Sequence, residues 1–514
     1  MTSSFTAAVP PPVPLPQTHL PETLPETLPE TRLPETRLPE TLPETRLPES
    51  RRTRGKRRAV PIWLAVLATS LPMFMATLDN LVMTSALPVV GRDLAASVDE
   101  LAWFVNAYTL SFATFMLPAA TLGDRWGRRR VMLAGLWLFT AASIGAALCT
   151  STAALIAART LQGLGAAAVM PLSLALHAAA VPAAMRPVAI GIWGGVSGLG
   201  VALGPVVGGA VVEGTSWQAI FWLNVPVAVV AAPLLWLAVN ESFGRPQRLD
   251  LRGTAMLGGS VLLGIWGIVH GNDDGWSSPQ VLLPLVGSAL LVPAYVAHAR
   301  SAARRDWAVL PLRLFSSRGF SVANAIGLTF TVGMFGAVFL LAQNLQIVMG
   351  YSPFEAGLRT LPWTAAPMVV APIAGAIAGR TGLRALLVSG LTLQAAALVW
   401  LAVVTEAGSS YSSFVPGLVM AGIGMGLTFA PSATAVLDGL GDDDFGTASS
   451  ANSTIREFGV ALGVAGLTAV FLGNGGELTP TGYSGAIGPA LLVGAGAVAL
   501  AVVAALFAPG RARR

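Results

Sequence analysis

The sequence is short of charge. Only 11% of its 514 residues are Asp, Glu, Lys or Arg, against roughly 25% in soluble domains. Lysine is almost missing: Lys56 is the only one, so no GxxxxGK[ST] phosphate loop exists and no ATP motor lies in the chain. A single cysteine, Cys149, in an apolar stretch excludes intrachain disulfides and cysteine metal sites. The histidines, His19, His177, His270 and His298, are scattered and form no HExxH motif. No catalytic constellation, cofactor or metal site is therefore expected, and the chain does not read as an enzyme. What is abundant is apolar: 54% hydrophobic residues and a mean hydropathy of +0.67. The composition is that of an all-α polytopic membrane protein.

The bases are distributed unevenly. Apolar segments of about 18–25 residues fall near 62–88, 101–122, 131–149, 153–178, 188–212, 217–239, 253–270, 279–297, 321–349, 355–378, 385–404, 414–437, 448–473 and 485–508. Numbered as spans 1–14, they leave all but four of the 31 Lys/Arg in the N-terminal tail or in loops on one side. The exceptions are Arg92 in an opposite loop and Arg159, Arg359 and Arg456 within spans. This is the positive-inside pattern rather than a nucleic-acid-binding face. It predicts both termini cytoplasmic, and the Arg-, Ala- and Gly-rich composition resembles that of a high-GC bacterium, so a bacterial plasma-membrane protein is expected.

Residues 1–58 differ from the rest. Seven copies of Leu-Pro-Glu-Thr/Ser run from Leu20 to Ser50, and six bases follow before the first span. Proline at that spacing forbids a helix, so a disordered cytoplasmic tail is expected. The first 50 residues hold no apolar run, so no cleavable signal peptide is expected. Beyond the tail the pattern suggests an N-terminal six-helix bundle (59–240), an inserted two-helix hairpin with its loops (241–320), a C-terminal six-helix bundle (321–508) and a short basic tail (509–514). Arg-x-Gly-x-Arg recurs after the second span of each half, at Arg125–Arg129 and Arg380–Arg384, as a duplicated unit would show.

Charges inside spans are costly and hence functional candidates. Asp79 in span 1 lies about 13 Å, and Arg159 in span 4 about 10 Å, from the outer ends of their helices at 1.5 Å per residue. Gly204-Pro205 in span 5 fall in the same outer layer. Asp79 reads either as a proton site or as a fixed, ion-paired carboxylate. Arg456 and Glu457 in span 13 either serve the same chemistry or pair locally, and Arg359 with Glu355 forms an i,i+4 pair. The glycine- and proline-bearing stretch Ser197–Gly209 reads as a packing seam, a hinge, or both. The loop Gly123–Arg130 reads as a topological anchor or, through Asp124, as a conformational latch.

Several of these stretches carry a resemblance. Leu122-x-Asp124-Arg125-x-Gly127-Arg128-Arg129, Arg159-Thr-Leu-Gln162-Gly163 and Gly200-x-x-x-Gly204-Pro205-x-x-Gly208-Gly209 resemble signatures of the major facilitator superfamily. Leu78-Asp79…Ala86-Leu87-Pro88, Trp217…Phe221…Asn224-Val-Pro226, Leu249–Gly253, Pro311–Phe315 and Gly350–Gly357 are similar to motifs of its 14-helix drug:proton antiporter branch. The resemblance covers about residues 60–508. It departs at Ala120, where the loop signature begins with glycine. It departs again at Leu81 and Thr84, where polar residues usual after the Asp are replaced, and at Gln218, where the branch usually has Arg. Gly379 stands where the first loop has Asp124.

The resemblance implies the major facilitator fold, with fourteen transmembrane helices as two six-helix bundles plus a two-helix insertion. It further implies export of an amphipathic drug or an endogenous antibiotic, driven by the proton gradient without a cofactor, in a chain acting as a monomer. An importer or a lipid exporter on the same fold is the competing reading. Proton coupling would fall to Asp79, Arg159 and Arg456. The substrate cavity would draw on Asp79, Trp103, Tyr108, Gln162, Gln343, Asn344 and Gln346. Asp124, Arg125, Gly127, Arg128 and Arg129 would form the latch, and Gly200, Gly204, Pro205, Gly208 and Gly209 the seam closing span 5 on the other bundle. Asp442–Asp444 read either as a solvated acidic loop or as facing Arg125 and Arg128–Arg130 in one conformation, and Pro205 is expected to bend its helix.

Overall fold

In hydrocarbon a backbone can satisfy its polar groups only within itself, so each long apolar run becomes a helix. The computed structural model describes residues 61–508 apart from 183–184, 245–247, 304–306, 407 and 442–443. The repeat tail, the C-terminal basic tail, Asp442 and Asp443 lie outside the described residues. Fourteen helices among the described residues are long and apolar enough to cross a membrane. They correspond to the fourteen spans in order: α1 (Ile62–Asp93), α2 (Val98–Trp126), α3 (Arg128–Leu148), α4 (Thr152–Ala180), α5 (Arg186–Gly214), α6 (Ala219–Ala238) and α7 (Leu251–Val269). Then follow α8 (Pro279–Ala303), α9 (Arg318–Ile347), α10 (Pro353–Thr381), α11 (Leu383–Val404), α12 (Tyr411–Leu437), α13 (Phe445–Gly473) and α14 (Pro480–Leu506).

Local chemistry sets the ends and breaks. Ser97 with Glu100, and Ser352 with Glu355, form reciprocal capping boxes at the starts of α2 and α10. The turns between α2 and α3 and between α10 and α11 are each made by one glycine, Gly127 at φ 108° and Gly382 at φ 86°. A side chain is strained in that left-handed region. The two copies of Arg-x-Gly-x-Arg therefore fold alike. Breaks at Leu223 in α6 and Ala365 in α10 lie just before Pro226 and Pro367, whose nitrogens cannot donate to the preceding turn. Pro205, by contrast, sits inside a continuous α5.

Helices α1–α6 pack on one another, chiefly α2 and α3 on α4 and α1 on α5. Helices α9–α14 do likewise, with α13 and α14 on α9 and α11 on α12. The two sets meet where α5 lies on α10, α2 on α13 and α1 on α9. Helices α7 and α8 pair with each other, and α7 also lies against both α2 and α13. At the start of α7, Asp250 accepts from the Gly253 N–H at 2.8 Å, from His298 Nε2 of α8 at 2.8 Å and from the Val309 N–H at 3.1 Å. One carboxylate thus ties the hairpin to the segment leading into α9.

Candidate functional site

Asp79 and Arg159, which are far apart in sequence, meet inside α1–α6. Arg159 is fully buried, and its Nη1 donates to Asp79 Oδ2 at 2.6 Å and to Gln162 Oε1 at 3.0 Å. Its Nε donates to the Phe104 carbonyl at 3.1 Å, and its guanidinium lies 4.4 Å over the Tyr108 ring. The other Asp79 oxygen accepts from Asn224 Nδ2 at 2.7 Å and from Gln162 Nε2 at 3.3 Å. Ser143 Oγ accepts from the same two amides, at 3.2 and 2.8 Å. The Tyr108 hydroxyl donates to the Ala76 carbonyl at 3.2 Å. The network therefore draws on α1, α2, α3, α4 and α6.

Such a carboxylate is charge-balanced and hydrogen-bonded on both oxygens. Removing one member of a buried pair costs about 3–5 kcal/mol, because the other charge is stranded. Only Arg159 Nη2 lacks a partner. Leu81 and Thr84, where the signature departs, give Asp79 no partner; its partners come from other helices. Asn224 and Ser143 were not among the expected site residues. Asn224 was visible as an amide in an apolar span, whereas nothing in the sequence marks Ser143.

Arg456 stands apart from this network. Its guanidinium lies 4.4 Å over the Phe429 ring, and it makes no ion pair with Glu457. Consecutive helical residues point about 100° apart, so the expected local pair does not form. Glu457 Oε2 is buried without a hydrogen-bond partner. Arg359 does approach Glu355, at 4.0 Å, and also covers the Tyr351 ring at 3.6 Å.

The remaining expected cavity residues scatter. Trp103 packs on Trp266 of α7, ring centroids 6.1 Å apart, so it serves the hairpin contact. Gln343 is buried, donating to the Phe339 carbonyl at 3.1 Å with its Oε1 unpaired, and Asn344 has no side-chain partner. Gln346 of α9 donates to the Ser85 carbonyl of α1 at 2.9 Å. An apolar pocket lies instead between α1, α5, α9, α10 and α12, lined by Leu81, Pro205, Leu341, Trp363, Phe414 and Leu418 among others. Apart from Pro205, Leu81 and Thr84, its lining residues are core types that no sequence pattern distinguishes from helix packing.

The glycines of α5 divide between two neighbours. A Cβ on Gly204 would come 2.6 Å from Leu81 Cβ, and one on Gly208 2.8 Å from the Val82 carbonyl, both on α1. Gly200 also faces α1, at Thr77. Only Gly209 lies against the other set, under the Pro353 carbonyl of α10, while Gly357 of α10 lies against the Pro205 carbonyl. The expected seam with the other set is thus mostly a seam with α1. This follows from the i, i+4, i+8 spacing of Gly200, Gly204 and Gly208, which puts those three on one face. At the opposite end, Gly191, Gly194, Gly195 and Gly198 of α5 and Gly375 and Gly379 of α10 face open space. The two helices close at the end away from the arginine-rich loops and part toward it.

The expected latch is internal. Asp124 Oδ1 takes Arg128 Nε at 2.7 Å, one helical turn on, and the Asp124 carbonyl takes the Gly244 N–H at 3.1 Å. Glu241, just beyond α6, accepts from the Arg129 N–H at 2.8 Å, and a Cβ on Gly127 would strike its carboxylate. Arg129 Nη1 donates to the Trp236 and Val239 carbonyls at the end of α6, and Arg125 is exposed. Asp444 pairs with Arg313 at 2.6 Å rather than with this loop. Arg313 lies in the 3₁₀ turn just before α9, where α13 begins, and so is the nearer cation.

The Major Facilitator Superfamily model matches residues 69–464. The multidrug resistance protein Stp of Mycobacterium tuberculosis is 36% identical over 409 residues, covering 79% of this chain and 75% of that one. The probable actinorhodin transporter of Streptomyces coelicolor is 34% identical, covering 78% and 70%. Among solved structures, a peptide transporter POT in complex with sulfate superposes with a TM-score of 0.62 at 18% identity, covering 87% of this chain and 96% of that one. Sequence relatives, matched signatures and fold agree: the chain belongs to the major facilitator superfamily, whose members are transporters rather than enzymes.

Proposed function

We propose that this chain is a proton-coupled exporter of amphipathic drugs or of an endogenous antibiotic in a bacterial plasma membrane. The observation that carries the reading is the buried Asp79–Arg159 pair with its amide donors. Protonating Asp79 would cancel its charge and release Arg159, whose free Nη2 is poised for another acceptor. A proton would therefore be converted into a rearrangement among α1, α2 and α4. Relatives named for multidrug resistance and antibiotic export support the direction and the substrate class.

In this reading α1–α6 and α9–α14 are the bundles that rock, and the α5–α10 contact at Gly209 is the outer gate, closed here with the inner side open. The apolar pocket beneath that gate suits the hydrophobic part of a substrate. The test is drug accumulation in cells with and without the chain, across a panel chosen by a resistance screen. Expressing cells should hold less drug, and a protonophore should erase the difference. A difference that survives full collapse of the proton gradient would refute the coupling.

A further inference from the structure

Glu457, a half-buried acid deep within span 13, has no role in the Asp79 network. Glu457 lies about 18 Å along α13 from its start at Phe445 and about 24 Å from its end, near mid-membrane. Its Oε2 is buried, and neither oxygen has a hydrogen-bond or ion-pair partner among the described residues. The adjacent Arg456 is turned onto Phe429. Helix α13 packs on α2, the helix that carries Tyr108. Tyr108 in turn lies under Arg159. The other helices packed on α13 bring no acid or base to this depth. On α9 the charge is Arg318 at its start, on α7 Arg252 lies near its start, and α12 and α14 offer only Tyr411 and Tyr483 near their own beginnings.

A carboxylate left unpaired in hydrocarbon costs several kcal/mol, so such a group holds a proton or a cation, or it would not persist there. The positive charge of Arg456 on the same turn opposes a second organic cation at this place. A proton meets no steric demand. We propose that Glu457 is a second proton-binding carboxyl, separate from Asp79 and placed on the facing set of helices across the α2–α13 contact. This rests on the reading of the chain as proton-coupled. The two acids would then load and unload at the interface between the sets, one paired with arginine and the other free.

The test is infrared spectroscopy of the full-length chain in lipid bilayers, titrated with acid and with no drug present. The C=O stretch of a protonated carboxyl reports the proton directly. The component of the band lost in Glu457→Gln should grow as the pH is lowered in the native chain and in Asp79→Asn, and return at a shifted pH in Glu457→Asp. A Glu457→Gln chain that keeps every titrating component overturns the assignment. So does a Glu457 carboxyl that stays wholly ionised, as one waiting for a cationic drug would, or wholly protonated. Failure of the Asp79 reading looks different: Asp79→Asn would keep exporting drug, whatever the Glu457 band does.

Discussion

Two acids lie deep within membrane spans, one buried and the other only half-buried, and their surroundings are opposite. Asp79 is held by Arg159, Gln162 and Asn224, with every donor on its own set of helices. Glu457 sits on the other set beside an arginine that points elsewhere, and nothing bonds it. Burial alone therefore does not define an ionisable site; the donors aimed at it do. A fully satisfied carboxylate resists change until its partner is released, whereas an unsatisfied one can exchange a proton without dismantling a network.

The largest expected contrast comes from neutralising each acid in turn. Asp79→Asn should bring efflux down to the level of cells lacking the chain, while drug binding to the purified protein persists; undiminished build-up of a drug gradient would remove Asp79 from the coupling. Glu457→Gln should leave export running but less steeply dependent on the pH gradient, because only one of two proton sites is lost. Next is Gly204→Leu, which must push α1, the helix carrying Asp79, away from α5 while leaving α13 untouched. Export should fall with membrane insertion unchanged, and normal export would show that the Asp79 site tolerates displacement.

Asn224→Ala should make Asp79 more like Glu457. A hydrogen bond to a charged group contributes about 1.5–3 kcal/mol, so the pH profile of efflux should shift measurably with the protein still folded. An unshifted profile would show that Asn224 only packs. The smallest effect is expected from Phe429→Leu, which removes the ring under Arg456 and a contact of about 0.5–2 kcal/mol. If Arg456 then turns to Glu457, the Glu457 infrared band should weaken. An unaltered band would mean that the arginine is held by more than the ring.

The helix count and the Asp79–Arg159 depth match were legible because charges are scarce in apolar spans and rise per residue converts position to depth. Contacts between helices were not legible in the same way. The glycine spacing of α5 identified one close-packing face but not that α1, rather than the other set, fills it. Arg456 and Glu457 were visible as neighbours in sequence, while the ring that draws the arginine aside lies on α12. Asp444 pairs with Arg313, a single residue in a short turn that nothing in the sequence marks as its partner. Ser143 and most of the lining of the apolar pocket look like ordinary core residues until the helices are assembled.

The α2–α3 turn is clasped to the end of α6 through Asp124, Arg129 and Glu241, all within one set of helices. Ion pairs spanning both sets would have to be broken and remade at every turnover. In the proposed rocking cycle a clasp confined to one set would stay shut, so its strength would add nothing to the barrier. It would let α1–α6 move as a single stiff lever.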